Sequence, residues 1–304
     1  MDQIQSMRAF VRVVEAGSFT KAAESLDLPK GTVTKQIQHL ETRLQVKLLN
    51  RTTRRVTVTA DGAAYYERTV RVLSDLDDIE ASMRNAQARP SGRLRVDIGA
   101  SVARLLVIPN LHRFFERFPE IQLDLGVSDR PVDLIADNVD CVIRGGELTE
   151  QSLVARRIGG IEFITVATPQ YLLRHGTPAH PTELERGHQL LHYFSARTGR
   201  PYPHLFVQGD EHHEITGTYQ LSVNESNALT TAVTSGLGVA QIARFGIEPM
   251  LTDGVLTRVL PDWSHPVLPV YVVYPPNRHL SAKVRAFVDW AAELFAQSPA
   301  LQAR

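Results

Sequence analysis

The 304-residue sequence predicts two domains: a small, mainly helical head closed by a strand pair, then one long helix, then a larger α/β body. Three observations predict it. Residues 1–58 hold ten Lys/Arg against five Asp/Glu, a net +5, which leaves −5 for the remainder of a chain of zero formal charge. Residues 60–88 form a helical run without Pro, and without Gly after Gly62, until Arg89-Pro90-Ser91-Gly92 breaks it as a hinge. From Arg93 onward, strand-like runs alternate with helix-like ones, the pattern of α/β units around parallel sheets. The boundaries read as 1–58 for the head, 59–89 for the helix and 90–304 for the body.

Composition narrows the class. There is no apolar stretch of the roughly 18 residues a membrane span needs, so no membrane partner is expected. The first residues carry Asp2, Arg8, Arg12 and Glu15 where a secretory apolar core would lie, so no signal peptide is read and a cytoplasmic location is expected. The single cysteine, Cys141, has no internal disulfide partner and sits among Val139, Val142 and Ile143, as a buried structural thiol does.

In the head, Ile4, Met7, Phe10, Val11 and Val14 recur three or four residues apart and predict a first helix over residues 3–16, stopped by Gly17. Ser18 is placed to cap the second helix, in which the small Ala22 and Ala23 admit a crossing helix. The turn Asp27-Leu28-Pro29 leads into KGTVTKQIQHLETRL. At about 100° per residue, Val33, Ile37, Leu40 and Leu44 of this third helix fall on one side. Gly31, Lys35, Gln38 and Thr42 fall on the other, flanked by Thr34 and His39. Small, hydrogen-bonding and basic groups on one face suit base edges and phosphates of a major groove; the alternative for each residue alone is a solvated face. VKLLNRTTRRVTVTADG then reads as a wing, with Leu48 and Leu49 as anchors and Arg51, Arg54 and Arg55 available to phosphate or a minor groove. Thr59 stands where an N-cap would open the long helix.

In that helix a seven-residue repeat places Tyr65, Val72, Ile79 and Ala86 at one position and Thr69, Leu76 and Met83 at the other, between charged residues. The pattern is a coiled-coil seam or, alternatively, an amphipathic helix lying on its own domain. In the body, RLRVDIGA alternates Leu94, Val96 and Ile98 and leads into a helix-like run that Pro109 should kink. IQLDLGV, DCVIR, FITVA and PVYVVY read as further strands. Ligands in open α/β sheets favour strand ends facing helix N-termini with free N–H groups. Three such junctions stand out: Ala100-Ser101-Val102, the turn at Ser128, and Val223-Asn224-Glu225. Arg144, after an apolar run, is placed to hold a carboxylate in a cleft. The competing readings are helix caps for Ser101 and Asn224 and an ion pair with Glu147 for Arg144.

The segment AFVRVVEAGSFTKAAESLDLPKGTVTKQIQHLETRLQVKLLNRTTRRVTVTADG resembles the head of LysR-type transcriptional regulators from end to end. The resemblance implies a winged helix-turn-helix whose base-reading and phosphate-gripping positions fall on Thr32, Thr34, Lys35, Gln38, Arg51 and Arg54. Lys35 stands where members commonly carry Arg, and Pro29 where they commonly carry a Ser cap. A looser similarity over 93–300 implies a two-lobed effector-binding domain like periplasmic solute-binding proteins, with lobe I about 93–162 and 267–304 and lobe II about 163–266. It supports the same three loops as a small-molecule effector site and adds Phe194 and Ser195. Asn138 replaces a usual Gly. The family implies a homodimer or homotetramer on double-stranded DNA with paired half-sites. The hinge at residues 90–92, between a rigid helix and a two-lobed body, adds the expectation that an effector changes DNA bending and with it contact with RNA polymerase.

An enzyme is the competing class. The sequence has no GxSxG elbow, Walker loop, CxxC or HExxH. His212-His213-Glu214 reads as a solvated turn, and His175, His180, His188 and His192 are scattered without ligand spacing. No metal, cofactor or catalytic residue is expected.

Overall fold

The computed structural model describes residues 2–51, 56–84, 89–134, 137, 139–146, 153–276 and 280–302. The chain forms two compact units, Met1–Ala88 and Arg89–Arg304. In the first, α1 (Gln3–Ala16) starts on Asp2, whose carboxylate accepts from the Ile4 N–H, and ends at Gly17 in the left-handed region. Ser18 caps α2 (Phe19–Ser25), Asp27 turns the chain at φ 52°, and α3 (Lys30–Leu44) follows. Ala9, Phe10, Val13, Ala22, Ala23, Val33, Ile37, Leu40, Leu48 and Leu49 close one core among these helices. Two stripes differ from expectation. The buried residues of α1 are Ser6, Ala9, Phe10, Val11 and Val13, so Phe10 and Val11 stand as expected, while Ile4 lies 39% exposed beyond its neighbours. In α3, Leu44 is 36% exposed because the last turn overhangs the core, while Gln36, at the edge of the same arc, is buried.

The wing strands β1 (Leu49–Arg51) and β2 (Val56–Val58) pair antiparallel, Leu49 opposite Val58. Thr59 does cap the next helix, its hydroxyl accepting from the Gly62 N–H, and opens α4 (Ala60–Arg84). Its first turns are not free for a partner helix. Thr69 and Leu73 are buried, and Tyr65 packs on Phe10 with ring centroids 5.6 Å apart, because the head supplies the apolar surface first. Val72, 52% exposed, is the seam position turned to solvent; Ala86 lies outside the described residues.

The second unit opens with β3 (Gly92–Ile98), then α5 (Ala100–Val102), a π turn (Ala103–Val107) and α6 (Ile108–Arg117). The expected kink at Pro109 takes the form of that π turn, in which the Ile108 N–H reaches back to the Ala103 carbonyl. Next come β4 (Ile121–Val127), β5 (Cys141–Gly145), β6 (Val154–Ile161), β7 (Phe163–Ala167), α7 (Pro169–His175), β8 (Gln189–Tyr193), β9 (His204–Gln208), β10 (Glu211–Ile215) and β11 (Thr218–Val223). α8 (Ser226–Thr234), β12 (Ala240–Ala243), α9 (Glu248–Thr252), β13 (Thr257–Arg258), β14 (Leu268–Tyr274) and α10 (Ala282–Ala296) complete it. One five-stranded sheet runs β4-β3-β5-β14-β6 and packs against α10 through Phe287, Ala291 and Phe295. β7 to β13 build smaller sheets over two further cores. The main sheet is mixed rather than parallel: β3 runs parallel to β4 and β5, but β14 runs antiparallel to β5 and β6. Cys141 is fully buried in β5, and burial pushes its thiol pKa up, as a structural cysteine requires. Among the described residues, no helix is long and apolar enough to cross a membrane.

Candidate nucleic-acid interface and effector cleft

The face of α3 opposite its core carries exposed Lys30, Gly31, Lys35, Gln38, His39 and Thr42, with Thr32 and Thr34 half-exposed. The Thr34 and Thr42 hydroxyls donate back to the carbonyls of Lys30 (3.0 Å) and Gln38 (2.8 Å), which leaves their lone pairs outward. Pro29 stands at the N-cap with no side chain capping the helix; its carbonyl accepts from the N–H groups of Thr32 (2.8 Å) and Val33 (3.3 Å), ahead of which lie the N–H groups of Lys30 and Gly31. Glu41, which sequence reasoning passed over, sets the wing against this helix: its Oε1 accepts from the N–H groups of Leu48 (3.0 Å) and Leu49 (3.1 Å). Gly62 makes the same junction possible, since a Cβ there would stand 2.0 Å from the Leu48 carbonyl oxygen. Of the expected wing contacts, the Arg51 backbone lies in β1; the Arg51 side chain, and Arg54 and Arg55, lie outside the described residues.

In the second unit, the expected loops converge around one carboxylate the sequence reading missed. Asp129, one residue beyond Ser128, accepts from the Ala100 N–H through Oδ1 and from the Ser226 N–H through Oδ2, both at 2.7 Å. It therefore ties the start of α5 to the start of α8. Gly99 faces it closely, a Cβ there falling 3.4 Å from Oδ1. Ala100 is thus occupied rather than free, and Ser101 and Val102 follow it in the same short helix. Ser128 serves the turn itself, its hydroxyl accepting from the Arg130 N–H at 3.0 Å. Glu225, not Asn224, caps α8 by accepting from the N–H groups of Asn227 and Ala228. Asn224 contributes its carbonyl, which accepts from the Tyr193 hydroxyl at 3.2 Å.

Arg144 ion-pairs with Asp97 and also donates to the Arg130 carbonyl at 3.2 Å; Glu147 lies outside the described residues. The pair fits because Gly126 has no side chain: a Cβ there would come 2.3 Å from Asp97 Oδ2. Phe194 continues β8 and donates its N–H to the Val223 carbonyl (2.8 Å), while the Ser195 hydroxyl accepts from the Thr198 N–H at 3.3 Å to close a turn. Tyr193 stacks on Tyr202 at 6.3 Å, and its pKa is raised first by burial and then by Asp129. The Ser226 hydroxyl is buried with no hydrogen-bond partner among the described residues. Two N–H donors at helix starts, the one carboxylate that answers both and the unanswered Ser226 hydroxyl are thus gathered in one place, and a second acceptor there would compete with Asp129.

Comparison with known proteins agrees in both units. Residues 4–63 match the model of the bacterial regulatory helix-turn-helix protein, lysR family, and residues 87–296 match the LysR substrate binding domain. An HTH-type transcriptional repressor of Pseudomonas aeruginosa is 40% identical over 99% of this chain and 95% of its own length. The transcriptional regulator CrgA of Neisseria meningitidis is 34% identical over 95% of this chain and 96% of its own. The full-length structure of the Vibrio cholerae virulence activator AphB superposes with a TM-score of 0.61 at 30% identity, covering 96% of this chain and 99% of that one. The structure of CrgA gives 0.60 at 31% identity, covering 95% and 97%.

Proposed function

We propose a specific mode of action for this chain, which belongs to the LysR family of transcriptional regulators: α3 reads a major groove through Lys35 and Gln38, and an effector acts by displacing Asp129. The chain is a DNA-binding regulator with an effector-binding domain, and its family forms oligomers. The observation that carries the reading is the division of α3: Val33, Ile37 and Leu40 are buried while Lys35 and Gln38 are exposed. Gln38 suits an adenine edge and Lys35 a guanine or phosphate. Thr32, Thr34, Arg51 and Arg54 complete the contact, and the uncapped start of α3 receives a phosphate where relatives with a Ser cap would not.

In the cleft, the Ala100 and Ser226 N–H groups are already answered by an acid, so an effector carrying its own carboxylate or phosphate competes with Asp129 for them. Ser101, Ser128, Asn224, Phe194 and Ser195 line its approach, and the Ser226 hydroxyl gains a partner. Exchange loosens the tie between the lobes, and in a dimer or tetramer paired through α4 this changes the spacing of two heads on paired half-sites. The altered DNA bend then changes access of RNA polymerase, in the cytoplasm and without chemistry on the effector.

The test begins with DNA fragments retained by the purified protein and sequenced. On the recovered site, Lys35→Ala and Gln38→Ala each weaken binding by roughly 10–100-fold, the equivalent of about 1–3 kcal/mol, with unchanged far-UV circular dichroism. Wild-type affinity in both variants overturns the assignment of α3.

A further inference from the structure

We propose that His180, Glu211 and His213 form a binding site for a divalent transition-metal ion of the zinc type, separate from the effector cleft. The spacing in sequence hides it. Residues 211–215 form a strand, β10, rather than a solvated turn, and in a strand alternate side chains share a face. Glu211 and His213 therefore point together, away from His212 and Glu214. His180 arrives from elsewhere, as the residue that opens the 3₁₀ turn Pro181–Glu185.

The donor atoms converge. His213 Nε2 lies 2.8 Å and His180 Nε2 3.5 Å from the same oxygen, Glu211 Oε1, and one ligand atom from each residue falls within 4.8 Å of the others. Tetrahedral zinc, with bonds of about 2.0–2.1 Å, places its ligand atoms about 3.4 Å apart, so the two contacts to Glu211 bracket the requirement. Both rings are already oriented. Trp263 packs edge-on against His180 at 5.1 Å and against His213 at 5.2 Å, and the two imidazoles meet at 4.9 Å and 84°. Metal-binding histidines characteristically hold their second nitrogen on an outer partner, and His180 Nδ1 lies 2.8 Å from Thr182 Oγ1.

The proton balance is simple. Without metal, the Thr182 N–H donates to His180 Nδ1 at 3.3 Å, so Nε2 carries the proton and donates it to Glu211. When the Nε2 atoms of His180 and His213 bind the ion, each proton passes through solvent to its own ring's Nδ1 and both rings stay neutral; at His180 the new Nδ1–H is accepted by Thr182 Oγ1, and the Thr182 N–H gives up its bond to Nδ1. Glu211 supplies the third ligand atom through the carboxylate oxygen that both histidines already face. Two imidazoles and one carboxylate favour zinc, nickel, cobalt or copper over magnesium or calcium. Glu211 is exposed, which gives the ion a route in, and three protein ligands leave a fourth position for water. An ion here would pin the 3₁₀ turn to the β9–β10 hairpin.

The experiment uses untagged, chelator-treated full-length protein titrated with zinc chloride, followed by calorimetry and thermal melting. One zinc ion per chain and a rise in melting temperature are expected. His180→Ala and His213→Ala should each weaken binding by more than about 100-fold and abolish the rise, and Thr182→Val should weaken it by roughly 10–100-fold. His112→Ala, on the exposed side of α6, should change nothing. Cobalt in place of zinc should give the visible absorption of a tetrahedral site. Zinc bound with the same affinity by His180→Ala, His213→Ala and wild type means an adventitious ion only and overturns the proposal. Should either alanine variant fail to fold, Thr182→Val and the exposed Glu211→Gln decide: weaker binding supports the site, and unchanged binding overturns it.

Discussion

Asp129 answers two helix starts with one carboxylate, and both hydrogen bonds are charge-assisted, the strong kind. Asp129→Asn removes the charge and presents an amide N–H to one of two N–H donors. Loss of about 2–3 kcal/mol of unfolding stability is expected from urea midpoints, together with tighter binding of small carboxylates to the vacated donors. An unchanged midpoint and an unchanged effector response would reduce Asp129 to a bystander. No spacing rule could have found this residue. The donors at Ala100 and Ser226 were visible as helix starts near Ser101 and Asn224, but their acceptor comes from the end of a different strand. Lys35 and Gln38 pose the opposite case, because the helical period alone turns them away from Val33 and Ile37. Arg144 falls between: its emergence from an apolar strand was legible, whereas Asp97 as its partner depended on strand pairing and on the missing side chain of Gly126.

Elements in the head were legible where their signals are local. Caps at Ser18 and Thr59 and the stop at Gly17 follow from neighbouring residues and stand as expected. Faces were less so: the buried side of α1 keeps Phe10 and Val11 of the apolar stripe but extends to Ser6, Ala9 and Val13, where small side chains fit beneath the crossing helices. In α4 the two readings divide along the helix: Tyr65, near its start, packs against the chain's own α1 through Phe10, while Val72, one heptad on, is exposed. The wing depends on α3 through Glu41, and this gives an element-scale prediction. Glu41→Gln keeps one carbonyl oxygen for the N–H groups of Leu48 and Leu49 but gives up the charge, at a cost of about 1–2 kcal/mol. DNA affinity should fall with it, through a displaced wing, although Glu41 is not among the residues proposed to touch DNA. Retention of full affinity in Glu41→Gln, measured by fluorescence anisotropy, would show that wing placement does not depend on this anchor.

Across the whole molecule, both tryptophans, Trp263 and Trp290, and the buried histidines belong to the body, so its stability can be followed apart from the head. His204 is buried with Nε2 3.3 Å from the Leu191 carbonyl, and burial, reinforced by His192, pulls its pKa down to about 3. The folded body therefore keeps this ring neutral to about pH 3, whereas the unfolded chain protonates it near the ordinary value of about 6.5. Between those limits the unfolded state holds more protons, and unfolding free energy falls as pH falls, by about 1.4 kcal/mol per pH unit from this ring. The contribution is intact above about pH 6.5 and roughly 2 kcal/mol smaller by pH 5. His265 and His188 are lowered in the same direction by burial and steepen the same window. Urea midpoints from tryptophan fluorescence should accordingly be flat above pH 6.5 and decline below it. His204→Gln keeps a donor for the Leu191 carbonyl without a titrating ring, so its decline between pH 6.5 and 5 should be shallower than that of the wild type. Because two-domain unfolding need not be a single transition, the head is followed separately by its DNA binding, which this ring should not move. Parallel declines in His204→Gln and wild type would assign the acid sensitivity of the body to other groups.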